Sequence, residues 1–154
     1  MKWIQRALLI CLSSWAACPL AVSGAQFKFG DQTLTVPDGF TIEQVAGPPL
    51  VNRPIVGDFD EQGRFYVADS SGSNDKVDKQ LQDKPHRIVR LMDQDGDGRF
   101  DQTTVFADKM MFPEGVLWHD GAVYCGAPPS IWKLEDTDGD GVADRRTEWF
   151  RVKR

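Results

Sequence analysis

An acidic, glycine-rich stretch of nine residues occurs twice and constrains the fold more than any other feature of the sequence. The first Asp loop is DQDGDGRFD at residues 93–101, and the second Asp loop is DTDGDGVAD at residues 136–144, 43 positions later. Each has carboxylates at positions 1, 3, 5 and 9, glycine at positions 4 and 6, and a short apolar run before it. A motif that recurs at a fixed period predicts two copies of one structural unit.

The residues around each Asp loop predict four short strands per repeat, because short runs that alternate apolar and polar residues are separated by turn residues. In the first repeat these strands are 54–59, 64–69, 87–92 and 103–107, and a polar insertion, predicted to be a loop, occupies residues 70–85. In the second repeat they are 113–118, 122–126, 131–134 and 146–150. Four strands in about 43 residues are typical of a β-propeller blade. The fold class predicted is all-β, with four-stranded antiparallel propeller blades; a β-sandwich is the alternative.

The N-terminal residues predict a secretory signal peptide over residues 1–25. Lys2 and Arg6 precede an apolar segment, and small residues precede a cleavage site before Gln26. An uncleaved N-terminal anchor is the alternative. Residues 26–53 are predicted to form strands leading into the propeller, an edge strand within 27–36 and another at 40–46. The mature protein is then expected to be periplasmic or secreted, with no membrane segment after removal of the signal.

The remaining chain divides into a blade at 54–112, which contains the 70–85 insertion, and a second, truncated blade at 113–154. Propellers close with roughly four to eight blades, so two blades predict an incomplete ring and the N-terminal piece of a longer protein. A complete small β domain is the alternative. An incomplete ring would leave one apolar sheet face without a partner, and such a face is prone to association.

Charge and cysteine content exclude several functions. The formal net charge is −5, and eight of the 23 acidic residues lie in the two Asp loops. Basic residues are not clustered enough to predict nucleic-acid binding. Cys125 is the one cysteine outside the predicted signal, so we expect no internal disulfide and a buried, apolar role on a strand. The haem-attachment motif Cys-x-x-Cys-His is absent, so haem is not supported in this chain.

The spacing of the carboxylates predicts calcium binding, since Ca²⁺ takes six to eight oxygen ligands, commonly from residues one, three and five of a tight loop. Position 7 supplies a backbone carbonyl, and position 9 coordinates directly or through water. Position 12 is Thr104 or Thr147 rather than the glutamate of an EF-hand, and the following residues alternate like a strand. A solvated acidic hairpin is the alternative reading. The predicted ligands are Asp93, Asp95, Asp97, Arg99, Asp101, Asp136, Asp138, Asp140, Val142 and Asp144.

The order of the strands predicts a structural role for these loops. Both connect the third and fourth strands, so they lie at the opposite end of the sheets from the 70–85 insertion. Propeller ligands usually bind on the face with the longer loops, so we expect the Asp loops to fasten the outer strand and take no part in chemistry. Arg53, Asp69 and Glu114 could face a central opening, although strand-end and surface roles are more common. His86 and His119 are expected on the surface, so no general base is predicted.

Several segments resemble known families. GFTIE at 39–43 and DEQGRFYVAD at 60–69 resemble the opening of the soluble quinoprotein glucose/sorbosone dehydrogenase-like propellers. PEG at 113–115, GAPPSIWKL at 126–134 and DTDGDG at 136–141 are similar to the PVC-type membrane-bound dehydrogenases. The resemblance covers residues 39–150 and implies export and a propeller of six blades when complete. The histidine motif that it implies for hydride abstraction would lie beyond residue 154, so no catalytic residue is carried over.

The sequence features are compatible with two functions. The first is a quinoprotein-like oxidoreductase that acts on a sugar or alcohol, with pyrroloquinoline quinone (PQQ) in the full-length protein. The second is a calcium-stabilised propeller that binds carbohydrate or protein without turnover. Fold alone does not decide between them.

Overall fold

The structure is a computed structural model that describes residues 24–153, and these form ten strands and one short helix. The chain divides into two compact units, Met1–Ile42 and Glu43–Arg154, and each is described by itself. The elements are β1 (Gly24–Phe29), β2 (Gln32–Pro37), β3 (Pro54–Phe59), β4 (Phe65–Asp69), α1 (Val77–Asp83), β5 (His86–Met92), β6 (Gln102–Met110), β7 (Gly115–His119), β8 (Ala122–Ala127), β9 (Ser130–Glu135) and β10 (Arg145–Arg151).

The described part of the N-terminal unit is an antiparallel hairpin of β1 and β2. The strand predicted within 27–36 is therefore two strands, joined at Gly30, whose φ of +58° suits a tight turn. Residues 1–23 of the predicted signal peptide lie outside the described residues, and the predicted cleavage site after Ala25 falls inside β1.

Two four-stranded antiparallel sheets make up the C-terminal unit. Sheet 1 has the order β3-β4-β5-β6, and sheet 2 has the order β7-β8-β9-β10. All eight strands predicted for the two repeats are present, and their ends differ from the prediction by no more than three residues. The all-β class and the antiparallel four-stranded sheets are confirmed.

Two local predictions are wrong. Residues 40–46 form no strand. The Val45 carbonyl accepts one hydrogen bond from the Phe100 N–H at 2.9 Å, and no ladder continues from it. The 70–85 insertion is not entirely loop, because it contains α1. Val77 and Leu81 are four residues apart, so they share one face of this helix.

The main core lies between the facing sides of the two sheets. Alternate residues of each strand point to this interface. It is built from Tyr66, Ile88, Phe106, Ala107 and Met110 of sheet 1 with Val123, Cys125, Ala127 and Leu134 of sheet 2. Cys125 is fully buried, as predicted, and burial raises the pKa of its thiol to about 12. This thiol is therefore a packing group and not a nucleophile.

The other face of sheet 1 is covered by the chain that precedes it. Val67, Val89 and Leu91 pack there with Leu50 and Val51. The central strands of sheet 1 are thus covered on both faces, while Ile55 and Phe59 of β3 and Val105 of β6 remain exposed. One face of sheet 2 carries exposed apolar side chains, Leu117, Trp149 and Phe150 among them. Within residues 24–153, no helix is long and apolar enough to cross a membrane.

Candidate metal centres in the Asp loops

The two Asp loops share the hydrogen bonds that their aspartate carboxylates accept from backbone N–H groups. Asp93, at position 1, accepts the N–H groups of positions 4 and 6 at 2.8 and 2.9 Å, and Asp136 accepts the equivalent pair at 2.8 Å each. The carboxylates at positions 3 and 5 each accept the N–H two residues ahead, at 3.2 and 2.8 Å in the first loop and 3.2 and 2.7 Å in the second. Asp101 and Asp144, at position 9, accept the N–H of position 2 at 3.2 and 3.1 Å. The repeated sequence therefore produces a repeated local structure.

Glycine is required at positions 4 and 6 because the backbone there is left-handed. The φ angles are +76° and +89° at Gly96 and Gly98, and +82° and +94° at Gly139 and Gly141. A side chain at such angles is strained, and only glycine adopts them routinely. These turns direct successive carboxylates toward the inside of the loop.

In each loop, three carboxylates lie close enough together to share one cation. One oxygen from each member of the group lies within 4.8 Å of the others, and the groups are Asp93, Asp95 and Asp101 in the first loop and Asp136, Asp138 and Asp140 in the second. Such a set of hard oxygen donors fits Ca²⁺. Two carboxylates 4 Å apart repel by about 1 kcal/mol in water-like surroundings, which a bound cation would offset.

Four predicted ligands lie outside these two groups: Asp97, Arg99, Val142 and Asp144. Asp97 accepts the Arg99 N–H at 2.8 Å, and it lies outside the group of three in its loop. Asp144 lies outside the other group and accepts the Thr137 hydroxyl at 2.5 Å, which lowers the pKa of the Asp144 carboxyl. The two loops thus have similar backbone conformations, but the third carboxylate of the group is at position 9 in the first loop and at position 5 in the second. Arg99 and Val142 occupy position 7, where the backbone carbonyl is the predicted ligand.

Position 8 attaches each loop to the layer that precedes its sheet. The N–H of Phe100 donates to the Val45 carbonyl at 2.9 Å, and the N–H of Ala143 donates to the Phe106 carbonyl at 2.8 Å. Phe100 packs against the apolar cluster that contains Val67 and Leu91, and Ala143 is buried in the core between the sheets. Sequence reasoning missed this contact, although an apolar residue at position 8 of a polar loop was its signal.

Asp69, one of the three candidates for a central opening, has structural partners. Asp69 is 2% exposed and accepts the N–H groups of Asn52 and Arg53 at 3.0 and 2.7 Å. It also pairs with Arg87 at 2.7 Å, so it fastens the chain before β3 to β5. Arg53 and Glu114 are exposed. Asp69 contacts the backbone of Arg53, but within the described part of the chain no hydrogen bond or ion pair joins Glu114 to either residue, so the three do not form one site.

His86 is buried, so the prediction that it lies on the surface is wrong. Its Nδ1 accepts the N–H of Ser71 at 3.1 Å, and its Nε2 lies 3.0 Å from Oε1 of Gln80. Gln80 in turn donates to the Asp75 carbonyl at 2.7 Å. These contacts suit a neutral imidazole, and burial lowers the pKa of His86. His86 anchors the insertion, whereas His119 is exposed as predicted.

Fold and loops together define an all-β protein of two repeated antiparallel sheets, each of which carries an acidic loop between its third and fourth strands. The chain belongs to the family described as a domain of unknown function, DUF7133, whose model matches residues 30–152. No curated protein and no solved structure matches the chain.

Proposed function

We propose that sheets 1 and 2 are neighbouring blades of a calcium-stabilised β-propeller. The observation that carries this proposal is the similarity between the exposed face of sheet 2 and the covered face of sheet 1. Tyr66 on β4 stacks on Trp118 of sheet 2 with centroids 5.1 Å apart, and it meets Phe106 of β6 edge-on at 4.9 Å. Tyr124, in the same place on β8, meets Trp149 of β10 edge-on at 5.4 Å.

The same correspondence extends to the charged residue beside each tyrosine. Arg90 pairs across the ladder with Tyr66, and Lys133 pairs with Tyr124. Arg90 reaches the next sheet, whereas Lys133 binds Glu135 of its own strand at 2.9 Å. The exposed face of sheet 2 therefore carries the same kinds of aromatic and basic side chain that sheet 1 uses to contact sheet 2. A two-layer sandwich would instead have polar outer faces.

Calcium in this proposal stabilises the stack of blades. Each Asp loop holds its sheet to the preceding layer through position 8, so an ion that orders the loop also orders that contact. A ligand that binds only the folded state stabilises it by about 2.7 kcal/mol at 100 times its dissociation constant. We expect calcium to raise the melting temperature of the purified chain by several degrees, and magnesium to do less.

The matched test replaces the position-3 carboxylate of each loop. Asp95→Ala combined with Asp138→Ala should abolish the calcium-dependent rise in melting temperature. An unchanged melting temperature at millimolar calcium, with the double variant behaving like the parent, would reject the metal sites.

For activity, we propose that the chain contributes to an exported quinoprotein-like oxidoreductase of sugars or alcohols that uses PQQ. Support comes from the resemblance of residues 39–150 to such propellers. His119 is exposed at the end of β7, and His86 is buried with hydrogen bonds to Ser71 and Gln80, so neither is proposed as the hydride-abstracting base. In the full-length protein, PQQ should quench tryptophan fluorescence, and the protein loaded with calcium and PQQ should reduce an artificial electron acceptor when given aldoses or alcohols. Absence of both signals would favour the alternative, a propeller that binds carbohydrate or protein without turnover.

A further inference from the structure

A cleft of about 1060 Å³ opens between α1 and the outer strands of sheet 2. Its apolar lining comes from Val77 and Leu81 of α1, Met110 and Met111 at the end of β6, and Trp132 of β9. Small-molecule sites occupy roughly 300–1,000 Å³ and are lined mainly by apolar side chains. The cleft is therefore large enough for an acyl chain or an aromatic body.

The charged residues that line this cleft all have the same sign. They are Lys84, Lys109, Arg146, Arg151 and Lys153, and no acidic residue lines it. Two of them have partners, since Arg146 pairs with Asp108 at 3.0 Å and Arg151 with Glu148 at 2.7 Å. The three lysines make no ion pair within residues 24–153. This concentration of positive charge contrasts with the formal net charge of −5 for the chain.

Two of the lysines are held by an unusual backbone. Lys84 has φ +47° where it ends α1, and Lys109 has φ +52° near the end of β6. At Lys84 this is the usual conformation of a residue that ends a helix, whereas at Lys109 it is a strained conformation that the surrounding structure holds in place. At Lys84 the conformation also lets its N–H donate to the Gln80 carbonyl at 2.8 Å, so the rim of the cleft is fixed to the helix.

We propose that this cleft binds an amphiphilic anion, with its acyl or aromatic body on the apolar lining and its carboxylate or sulfonate head among the lysines. Charge-assisted contacts to a partly desolvated anionic head select against a cation of the same length. α1 and the turn at residues 128–129 lie at the end of the sheets opposite to the Asp loops. From there the cleft extends along β9 and β10 to Leu134 and Arg146, each two residues from the second Asp loop.

The test compares two probes that share a chain length, decanesulfonate and decyltrimethylammonium, by calorimetric titration of the purified chain in calcium-containing buffer. The negative net charge of the protein favours the cation at its general surface, so preference for the anion identifies the cleft. We expect saturable binding of decanesulfonate and at least tenfold weaker binding of decyltrimethylammonium.

The variant Lys109→Glu should weaken decanesulfonate binding about tenfold, since it replaces attraction at the rim with repulsion. Lys28→Glu in β1 changes the net charge equally and should leave the affinity unchanged. Lys84→Glu is a second variant at the rim, and thermal melting identifies any variant that fails to fold. Equal affinity for both probes, no saturable binding, or equal effects of the rim and β1 substitutions would overturn the proposal.

Discussion

Arg90 of sheet 1 lies against Asp136, the first residue of the second Asp loop, with Nη1 3.7 Å from Oδ2. The arginine is 7% exposed, and its Nε is buried without a hydrogen-bond partner among the described residues. No arginine or lysine makes an equivalent ion pair with Asp93 within residues 24–153. The second loop therefore has a fixed cation beside its candidate ligands, and the first loop does not.

This arrangement predicts different calcium affinities for two loops of nearly identical sequence. Arg90 repels an incoming cation and already neutralises part of the loop, so the second loop should bind calcium about tenfold more weakly than the first. Asp95→Asn leaves the second loop as the main site and Asp138→Asn leaves the first, so titration of each variant measures one loop. Arg90→Met in the Asp95→Asn background should strengthen binding. Equal affinities in the two single variants would contradict the prediction.

A second prediction concerns the glycines at position 6. A Cβ on Gly141 would clash with Nη2 of Arg90, whereas a Cβ on Gly98 would meet nothing within 4 Å. Both residues have strongly positive φ, so Gly98→Ala should cost about 1–2 kcal/mol through backbone strain alone. Gly141→Ala adds displacement of a buried guanidinium and should cost about twice as much or more. Urea unfolding without calcium measures both, and indistinguishable losses would show that Arg90 adapts freely.

The contrast between these two loops shows how far the sequence could predict the structure. Strand positions followed from alternation and turn residues, and the loop geometry followed from the spacing of aspartate and glycine. Arg90 and Asp136 are 46 residues apart in sequence, and their contact depends on how two sheets pack. The burial of His86 was equally hidden, because it depends on Gln80 of a helix in a segment whose polar composition indicates a loop. Local patterns therefore predicted the elements, whereas long-range packing decided which charged groups meet.

His86 makes stability depend on pH in a direction that its environment determines. Its pKa is lowered in the folded state, so the unfolded chain binds the proton more readily. The stabilisation is complete above the unfolded pKa of about 6.5 and is lost as the pH falls from there toward the folded pKa. Protonation also removes the acceptor for the Ser71 N–H. The free energy of unfolding should therefore decrease as the pH falls below about 6.5, more in the parent than in His86→Asn.

The exposed histidine provides the control for this measurement. His119→Asn should keep the pH dependence of the parent, since His119 is exposed. All three proteins have the same carboxylates, so differences between the curves isolate each histidine. A His86→Asn curve parallel to that of the parent would show that the buried imidazole does not contribute.

The uncovered face of sheet 2 should cause the purified chain to self-associate. Leu117, Trp149 and Phe150 are 55%, 62% and 56% exposed. They lie on the same face of sheet 2 as Tyr124, and no other part of the described chain covers them. Apolar faces of this kind promote association. Sedimentation should show a concentration-dependent equilibrium above the monomer, and Trp149→Lys with Leu117→Lys should return the chain to monomer. Val77→Lys is the control, because it alters an equally exposed apolar residue on α1 and should leave association unchanged. A parent chain that is monomeric at all concentrations would show that this face needs no partner, and it would remove the main support for a further blade.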